Sequence, residues 1–516
     1  MRNKTAASLV LAIALSTALP AAARAQDVPR PLAETLSAAP LSRVQTVSFG
    51  PLERGWLAVD DATRKEQGLA PRYAVPRPVH LTPWTSGTWE ELKDGRWLWR
   101  LRLRAEGAVS INLGFTRFHL PEGGRLQIYS ADLASVVRPF TSADNARHHE
   151  LWTPAVPTDD LIVELVVSAA GRGDVDLEIG QVGHGYRGFG DLKGTTLKSG
   201  SCNMDVACLN SFDPWKQTAS AVGRISIGGT TLCTGSLVND TARDRKMYFI
   251  TAQHCGLVST NAASLVVYWN YQNSTCRTPG SSASGGIGDG QLNQFHTGSI
   301  FRAENGDSDF TLVELDDPPV PAFHHYWAGW DRSSGDVSCP QGSCYQCGSG
   351  ALCAGIHHPA GNEKRITFAE QAIQPVSWDT WPSSPGDGTH LWVHWDPTPV
   401  FPPNPALTIP PQVTEGAPPA RRSTTRTAAS WASCTAAPPS AACPETASRT
   451  STAASASPGP PPPPTWTPEA PVNCSSTART PTAGFSATAS RAGLSGRGAG
   501  RCREPGLTAS PACTIP

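Results

Sequence analysis

The 516-residue sequence has no cysteine before Cys202, no long apolar run after its first 25 residues, and almost no net charge. Lysine and arginine total 42 against 43 for aspartate and glutamate, so the charge gives no indication of a nucleic-acid or anionic-surface partner. Without a second apolar run of about 20 residues, a membrane-spanning helix is excluded from the later chain. We expect a monomer with no cofactor, no nucleic-acid partner and no membrane partner.

The first 25 residues have the layout of a secretory signal. Arg2 and Lys4 precede an apolar run from Ala6 to Leu19, and small residues follow at positions 21–25. The run is too short to span a bilayer, which favours a signal over a membrane anchor. We therefore expect residues 1–25 to direct secretion, and export permits disulfide bonds.

Residues 26–198 form a cysteine-free region that we expect to be a small β-rich domain. Three segments show strand-like alternation or apolar runs between glycine and aspartate turns: Trp97–Arg104, Leu161–Val167 and Val175–Ile179. No catalytic constellation is visible there. His148 and His149 are candidate ligands, but two surface histidines in a loop are the better interpretation.

The segment Gly185–Ser201 is rich in glycine and polar residues and contains two lysines, Lys193 and Lys198. It reads as an exposed linker, and exposed linkers are where proteolysis concentrates. The hypothesis is that residues 26–198 are a pro-region, removed by a cut after Lys198 or after Lys193.

The stretch Met247–Cys255 is an apolar strand-like run that delivers a histidine, His254, followed at once by a cysteine. Asp309 comes later and precedes the alternating segment Phe310–Leu315. An isolated aspartate before a strand is usually a turn residue. The order of histidine and then aspartate is nevertheless that of a Ser-His-Asp site, in which a buried carboxylate orients the imidazole for a serine nucleophile.

Five segments together resemble the bacterial lysyl endopeptidases, which are secreted trypsin-like serine peptidases. These segments are Lys246–Cys255, Val266–Cys276, Ser308–Leu315, Trp327–Asp331 and Ile356–Pro359. The similarity extends over about residues 200–415, and the region before it resembles the family's pro-region more loosely. The resemblance implies an all-β protein, with a β-rich pro-region followed by a chymotrypsin-like domain of two β-barrels at residues 199–416.

The resemblance also implies an activity and its residues. The family cleaves polypeptide substrates after lysine and processes itself, which suits a cut at Lys198 and makes the pro-region a partner of the peptidase domain. It implies His254 as general base and Asp309 as the residue that orients it. Trp381 matches a tryptophan that the family stacks beside its histidine, although an altered loop length leaves Trp378 as an alternative.

Two disulfides follow from the same resemblance, Cys208–Cys276 and Cys233–Cys255. An insertion departs from the family and contains Cys339, Cys344, Cys347 and Cys353, with His357 and His358 close behind. Such spacing suits zinc, but in an exported protein two loop disulfides are the preferred interpretation, with their pairing open. Nine cysteines precede residue 417. If the insertion forms two disulfides and the two pairs above also form, Cys202 is left without a partner. In the family, the partner of this cysteine lies just beyond the nucleophile segment.

The larger departure follows Gly416, where the family pattern requires Gly-Ser-Ser-Gly-Ser-Pro with its last serine as nucleophile. This chain continues Ala417-Pro-Pro-Ala-Arg421, and residues 417–516 contain no Lys, Asp, His, Gln, Tyr or Met. Such a composition cannot bury a core, so we expect a disordered tail. The second barrel is then incomplete, and the serine nucleophile is absent from the chain.

The tail has the composition of a GC-rich gene read in a shifted frame. One choice of synonymous codons for the family motif is GGC TCC TCC GGC TCG CCG, and without its first base this choice encodes Ala-Pro-Pro-Ala-Arg, as at residues 417–421. The alternative is a genuine Pro/Ser/Thr-rich stalk. With nine arginines against three glutamates, such a tail suits a non-catalytic secreted binding protein for anionic surfaces. A third interpretation treats the cysteine insertion as a metal module.

The linker hypothesis predicts the amino terminus of the secreted protein. We expect N-terminal sequencing of secreted material to begin at Ser199 or at Gly194, because a cut after Lys198 or Lys193 exposes these residues. A terminus well away from both lysines would contradict the hypothesis.

Overall fold

The computed structural model describes residues 30–188, 203–330 and 353–369, apart from residues 37, 68, 211–213, 280 and 287, together with short strands at 374–376 and 390–392. Strands far outnumber helices in these ranges, which confirms the expected all-β class. None of the helices there is long and apolar enough to cross a bilayer. Several predictions lie outside the described residues: the signal at 1–25, Lys193, Lys198, Cys202, Cys339, Cys344, Cys347, Trp378, Trp381 and the tail at 417–516.

The N-terminal domain, residues 30–188, is built from strands with two helices, α1 (Leu32–Thr35) and α2 (Arg54–Glu66). Its strands are β1 (Thr46–Phe49), β2 (Ala74–Leu81), β3 (Thr88–Glu91), β4 (Trp97–Ala105), β5 (Ser110–His119), β6 (Arg125–Ser130), β7 (Leu151–Trp152), β8 (Asp160–Val167) and β9 (Asp176–Gly185). Strands β4 and β8 match two predicted strands. The third, predicted at Val175–Ile179, extends to Gly185 because β9 pairs with both β2 and β5.

Two sheets face each other in this domain and form a sandwich. One sheet has the order β1-β4-β8-β6 with β3 beside β4, and the other has the order β2-β9-β5-β7. Inward side chains of both sheets, such as Leu101, Val163, Leu113 and Ile179, share a single core. Alternate residues of each strand supply this core, as expected from the two-residue period of a β-strand.

The peptidase-like part begins with β10 (Met204–Asp205) and α3 (Pro214–Ala219), and its main sheet has seven strands in the described residues. They are β11 (Val222–Ile227), β12 (Thr231–Leu237), β13 (Tyr248–Thr251), β14 (Val266–Tyr268), β15 (Phe295–Thr297), β16 (Ser299–Asn305) and β17 (Phe310–Leu315). Their order is β15-β14-β11-β12-β13-β17-β16.

This sheet closes into a barrel at Gly298. The two end strands of the sheet, β15 and β16, are consecutive in the chain and are separated only by this glycine, whose φ is +82°. A left-handed backbone is open to glycine at no steric cost, so one strand bends sharply and pairs with β14 on one side and β17 on the other. A side chain at this position would also collide with the carboxylate of Asp316.

Strand β14 shows that the barrel wall is buried on both faces. Val267 and Trp269 point into the barrel with Ile225 and Phe249. Their neighbours Val266 and Tyr268 belong instead to the core of the N-terminal domain, together with Phe295 of β15. The sequence Val-Val-Tyr-Trp is therefore continuously apolar because each face meets a different core.

Polar contacts accompany this shared core. The amide of Ala155 donates to the Tyr268 hydroxyl at 2.9 Å, and the side chain of Asn112 donates to the carbonyl of Gly229 at 3.0 Å. His148 Nε2 lies 2.7 Å from a carboxylate oxygen of Asp316. The prediction of two surface loop histidines is therefore wrong for His148, which is half-buried in this contact.

The remaining described strands are β18 (Cys353–His357), β19 (Arg365–Ala369), β20 (Gln374–Val376) and β21 (His390–Trp392). They form one sheet of order β10-β19-β18 and a separate pair, β20-β21. The fully buried Asp205 on β10 accepts ion pairs from Arg277 at 2.7 Å and Arg365 at 2.8 Å. Its burial is tolerated because two guanidinium groups compensate the carboxylate.

The bend at Gly298 predicts a large effect of adding one methyl group. We expect Gly298→Ala to lower the free energy of unfolding by about 3 kcal/mol, from left-handed backbone strain plus a clash with Asp316. Gly95 is the matched control, because its φ is +83° and its surroundings are open. Gly95→Ala should cost only about 1 kcal/mol. Equal losses for both variants in urea unfolding would contradict the role of the bend.

Candidate active site

Strand β13 positions the imidazole of His254. The strand ends at Thr251, and a short 3₁₀ turn, Gln253–Cys255, follows at once. The hydroxyl of Thr251 donates to the carbonyl of Thr234 at 2.7 Å, which fixes the strand end against β12. The turn carries His254 out of the barrel wall, and its side chain is left 22% exposed.

The neighbouring strand brings Asp309 to the same place. Strand β17 runs antiparallel to β13, with Thr311 opposite Thr251. The start of one strand therefore meets the end of the other, and Asp309 directly precedes β17. Its φ is +52°, a left-handed conformation that aspartate tolerates better than most residues.

Asp309 holds His254 through two hydrogen bonds. One carboxylate oxygen accepts from the His254 ring at Nδ1 over 2.7 Å, and the other accepts from the backbone N–H of His254 over 2.9 Å. The carboxylate is only 8% exposed. Since Nδ1–H donates to Asp309, the other ring nitrogen, Nε2, carries the lone pair and is available to accept a proton.

Two further contacts immobilise the chain around His254. The disulfide Cys233–Cys255 joins the residue after the histidine to β12. The hydroxyl of Thr311 donates to the carbonyl of Leu257 at 3.1 Å, which anchors the loop that follows. The second disulfide, Cys208–Cys276, packs at Cys208 against a different core, which contains Met204 and Ile356.

Two of the three potential metal ligands near this site form a disulfide bond with each other. Cys233, His254 and Cys255 bring three ligand atoms within 4.8 Å of one another. A disulfide removes both thiolates, however, and a neutral disulfide sulfur is a poor ligand for zinc. His357 and His358, the histidines beside the cysteine insertion, are buried, and burial lowers the pKa of His357 to about 3.

The structure thus brings together His254, Asp309 and the pair Cys233–Cys255. It does not place Trp381, Trp378 or the segment after Gly416, which lie outside the described residues. Two supports were not anticipated from the sequence: the backbone N–H bond to Asp309 and the Thr311 hydroxyl. The second had a visible signal, since Thr311 lies two residues after the aspartate on the same strand.

Comparison with known proteins gives matches along most of the chain. The family described as "Lysyl endopeptidase N-terminal domain" matches residues 54–186, and the family "Lysyl endopeptidase, C-terminal domain" matches residues 196–400. The lysyl endopeptidase of Pseudomonas aeruginosa is 26% identical over 366 residues, which covers 64% of this chain and 71% of that protein.

Among solved structures, the Rv3671c protease of M. tuberculosis H37Rv in its inactive form matches with a TM-score of 0.20 and 12% identity, over 35% of this chain and 66% of that one. Deg5 matches with a TM-score of 0.22 and 12% identity, over 36% of this chain and 72% of that one.

The family matches, together with a histidine held by a buried carboxylate in a strand-rich chain, define a protein of the peptidase class. Both halves match families of one kind, an N-terminal and a C-terminal domain in the expected order. Within that class the chain is lysyl endopeptidase-like.

The support of His254 by its neighbouring disulfide is testable. Replacing Cys233 and Cys255 with serine opens a loop of sequence separation 22 and should cost about 3 kcal/mol in urea unfolding. We also expect faster modification of His254 by diethyl pyrocarbonate, because the turn loses its anchor.

The matched control replaces Cys208 and Cys276, whose separation is 68. That variant should lose more stability, about 4 kcal/mol, but leave the modification rate of His254 unchanged. An unchanged rate in the first variant would contradict the anchoring role.

Proposed function

We propose that this chain is the precursor of a secreted serine endopeptidase of the lysyl endopeptidase type, which hydrolyses peptide bonds after lysine. The observation that carries the proposal is the 2.7 Å hydrogen bond between His254 Nδ1 and the buried Asp309. The matching families and the name of the Pseudomonas relative support lysine as the preferred residue and polypeptides as substrates.

The geometry suits proton transfer at Nε2 of His254. In the proposed reaction a serine hydroxyl attacks the scissile carbonyl and passes its proton to Nε2, which later returns it to the leaving amine. Asp309 stays ionised, keeps the proton on Nδ1 and stabilises the imidazolium. Backbone N–H groups beside the serine would hold the oxyanion of the tetrahedral intermediate.

The polypeptide as read contains two of the three side chains. The nucleophile, its oxyanion loop and the lysine pocket belong to the segment that the family carries after Gly416, and here the sequence continues Ala-Pro-Pro-Ala-Arg. We propose that a frame change after Gly416 causes this departure, and that the chain as read is inactive.

The N-terminal domain fits the role of a pro-region. It has its own sandwich core, and it contacts the barrel on the outer wall at β14 and β15. Asn203 and Asp205 of the peptidase-like part are both fully buried. A cut after Lys198 or Lys193 would therefore separate the domains without removing buried residues of the peptidase part.

The decisive experiment compares the chain as read with a version whose frame is restored after Gly416. We expect the restored protein to hydrolyse lysyl amide substrates and to be labelled by diisopropyl fluorophosphate, and the chain as read to do neither. In the restored protein, Asp309→Asn should lower kcat roughly 10⁴-fold, because it favours the wrong tautomer of His254.

His254→Ala in the restored protein is the control for background hydrolysis. Lysine-specific amidase activity from the chain as read would overturn the claim of inactivity. Failure of the restored protein to react with either reagent would instead favour the non-catalytic binding protein.

A further inference from the structure

Strand β15 is one of the barrel strands that the N-terminal domain contacts directly. Phe295 packs against Phe140, with ring centroids 6.3 Å apart, and the guanidinium of Arg138 lies 5.3 Å from its centre. Two residues later, the hydroxyl of Thr297 donates to the backbone carbonyl of Trp152. Both outward-facing residues of this three-residue strand, Phe295 and Thr297, therefore contact the N-terminal domain.

The middle residue of β15, His296, points the other way. Its ring lies edge-on to Trp269 at 5.8 Å and only 5.1 Å from the ring of His325, with Phe323 at 5.6 Å. Residue His296 is 2% exposed. None of the four ring nitrogens of the two histidines has a hydrogen-bond partner in the described part of the chain. Such a site accepts neutral imidazoles and penalises charged ones.

Burial of the two imidazoles gives the direction of their response to pH. It lowers the pKa of His296 to about 3 and that of His325 to about 4, and the nearby Arg138 lowers the first further. Both rings are neutral in the closed structure at pH 7. Here the closed structure means the N-terminal domain packed on the barrel, and closure means the formation of that contact. The free energy that the neutral rings contribute to closure is fully present above the ordinary imidazole pKa of about 6.5 and is lost as the pH falls towards 4.

One buried carboxyl group acts in the opposite direction. Burial raises the pKa of Asp317 to about 6, although it accepts from the Thr297 amide at 2.8 Å and lies 3.8 Å from Arg138. Its protonation favours closure as the pH falls from 6 to about 4. The rise in the pKa of Asp317 is smaller than the combined fall in the pKa values of the two imidazoles. The histidines therefore determine the net effect, which is that acid weakens the contact between the domains.

The other charged groups around β15 come from both domains. Asp144 pairs with Arg138 at 2.8 Å on the N-terminal side, and Asp316 bonds His148 across the contact. Nδ1 of His148 accepts from the amide of Glu150 at 3.1 Å, and its Nε2 faces Asp316. Among these described groups, only His296 and His325 have ring nitrogens with no hydrogen-bond partner.

We propose that β15 is an acid-sensitive clasp between the two domains. Protonation of His296 and His325 puts two like charges side by side in an apolar pocket and displaces the strand, which releases the Phe295 and Thr297 contacts that hold the N-terminal domain. The N-terminal domain thus opens from the β14–β15 side of the barrel wall on acidification, while its own sandwich stays folded. This inference does not depend on the proposed catalytic activity.

Hydrogen–deuterium exchange on the full chain tests the clasp. The reporter amides are Thr297, and Ala155 opposite Tyr268, and the reference amides lie in the β4–β8 pairing. After correction for the intrinsic pH dependence of exchange, we expect the reporters to lose about tenfold in protection between pH 7 and pH 4.5. The reference amides should keep theirs.

Two variants remove the titrating rings. His325→Phe, in a half-buried aromatic setting, and His296→Phe should each reduce the acid-induced loss at the reporters to about threefold or less. The matched control is His80→Gln, which alters an exposed histidine paired with Glu178 within the N-terminal domain and should behave like the wild type.

Protection of the β4–β8 amides at pH 7 shows whether each variant folds, and either histidine variant suffices for the test. Equal loss of reporter protection in the wild type and in the folded histidine variant would overturn the proposal. Loss at the reference amides at the same pH would also overturn it, because the molecule would then be unfolding as a whole.

Discussion

Burial of the barrel wall on both faces is the constraint on which the molecule depends. At β14, Val267 and Trp269 fill the barrel while Val266 and Tyr268 complete the core of the N-terminal sandwich. Neither domain alone buries both faces of these strands. Sheets with both faces covered are hydrophobic along their whole length, and this wall follows that rule.

The strands that contact the N-terminal domain are not the ones that carry the candidate catalytic residues. The N-terminal domain contacts β14, β15 and the hairpin at Gly229, whereas His254 emerges from the far end of β13. The imidazole is held by barrel residues, through Asp309 and the disulfide to Cys233. A rigid surround of this kind keeps a general base in one tautomer and one orientation, which is what acyl transfer requires of it.

Much of the site was readable from residue order. An apolar run ending in Thr-Ala-Gln-His-Cys predicts a strand that delivers a histidine, and an aspartate directly before an alternating strand is a candidate partner. The strands β4 and β8 were also visible, β4 from its alternation with a period of two and β8 from a nearly continuous apolar run. Prediction failed at His148, since a histidine in a polar loop carries no local sign that Asp316 lies beside it.

What followed from the amino acids alone is the strand-rich class, the cysteine-free first domain, and the pairing of His254 with Asp309 as a hypothesis. These features are local, since they depend on alternation, turn residues and the spacing of motifs along the chain. Only the folded structure shows which face of β14 packs against which core. It also shows the two hydrogen bonds from His254 to Asp309 and the absence of hydrogen-bond partners for the ring nitrogens of His296 among the described residues. Each of these depends on residues far apart in the chain, and burial and hydrogen bonding between such residues exist only once the strands have assembled.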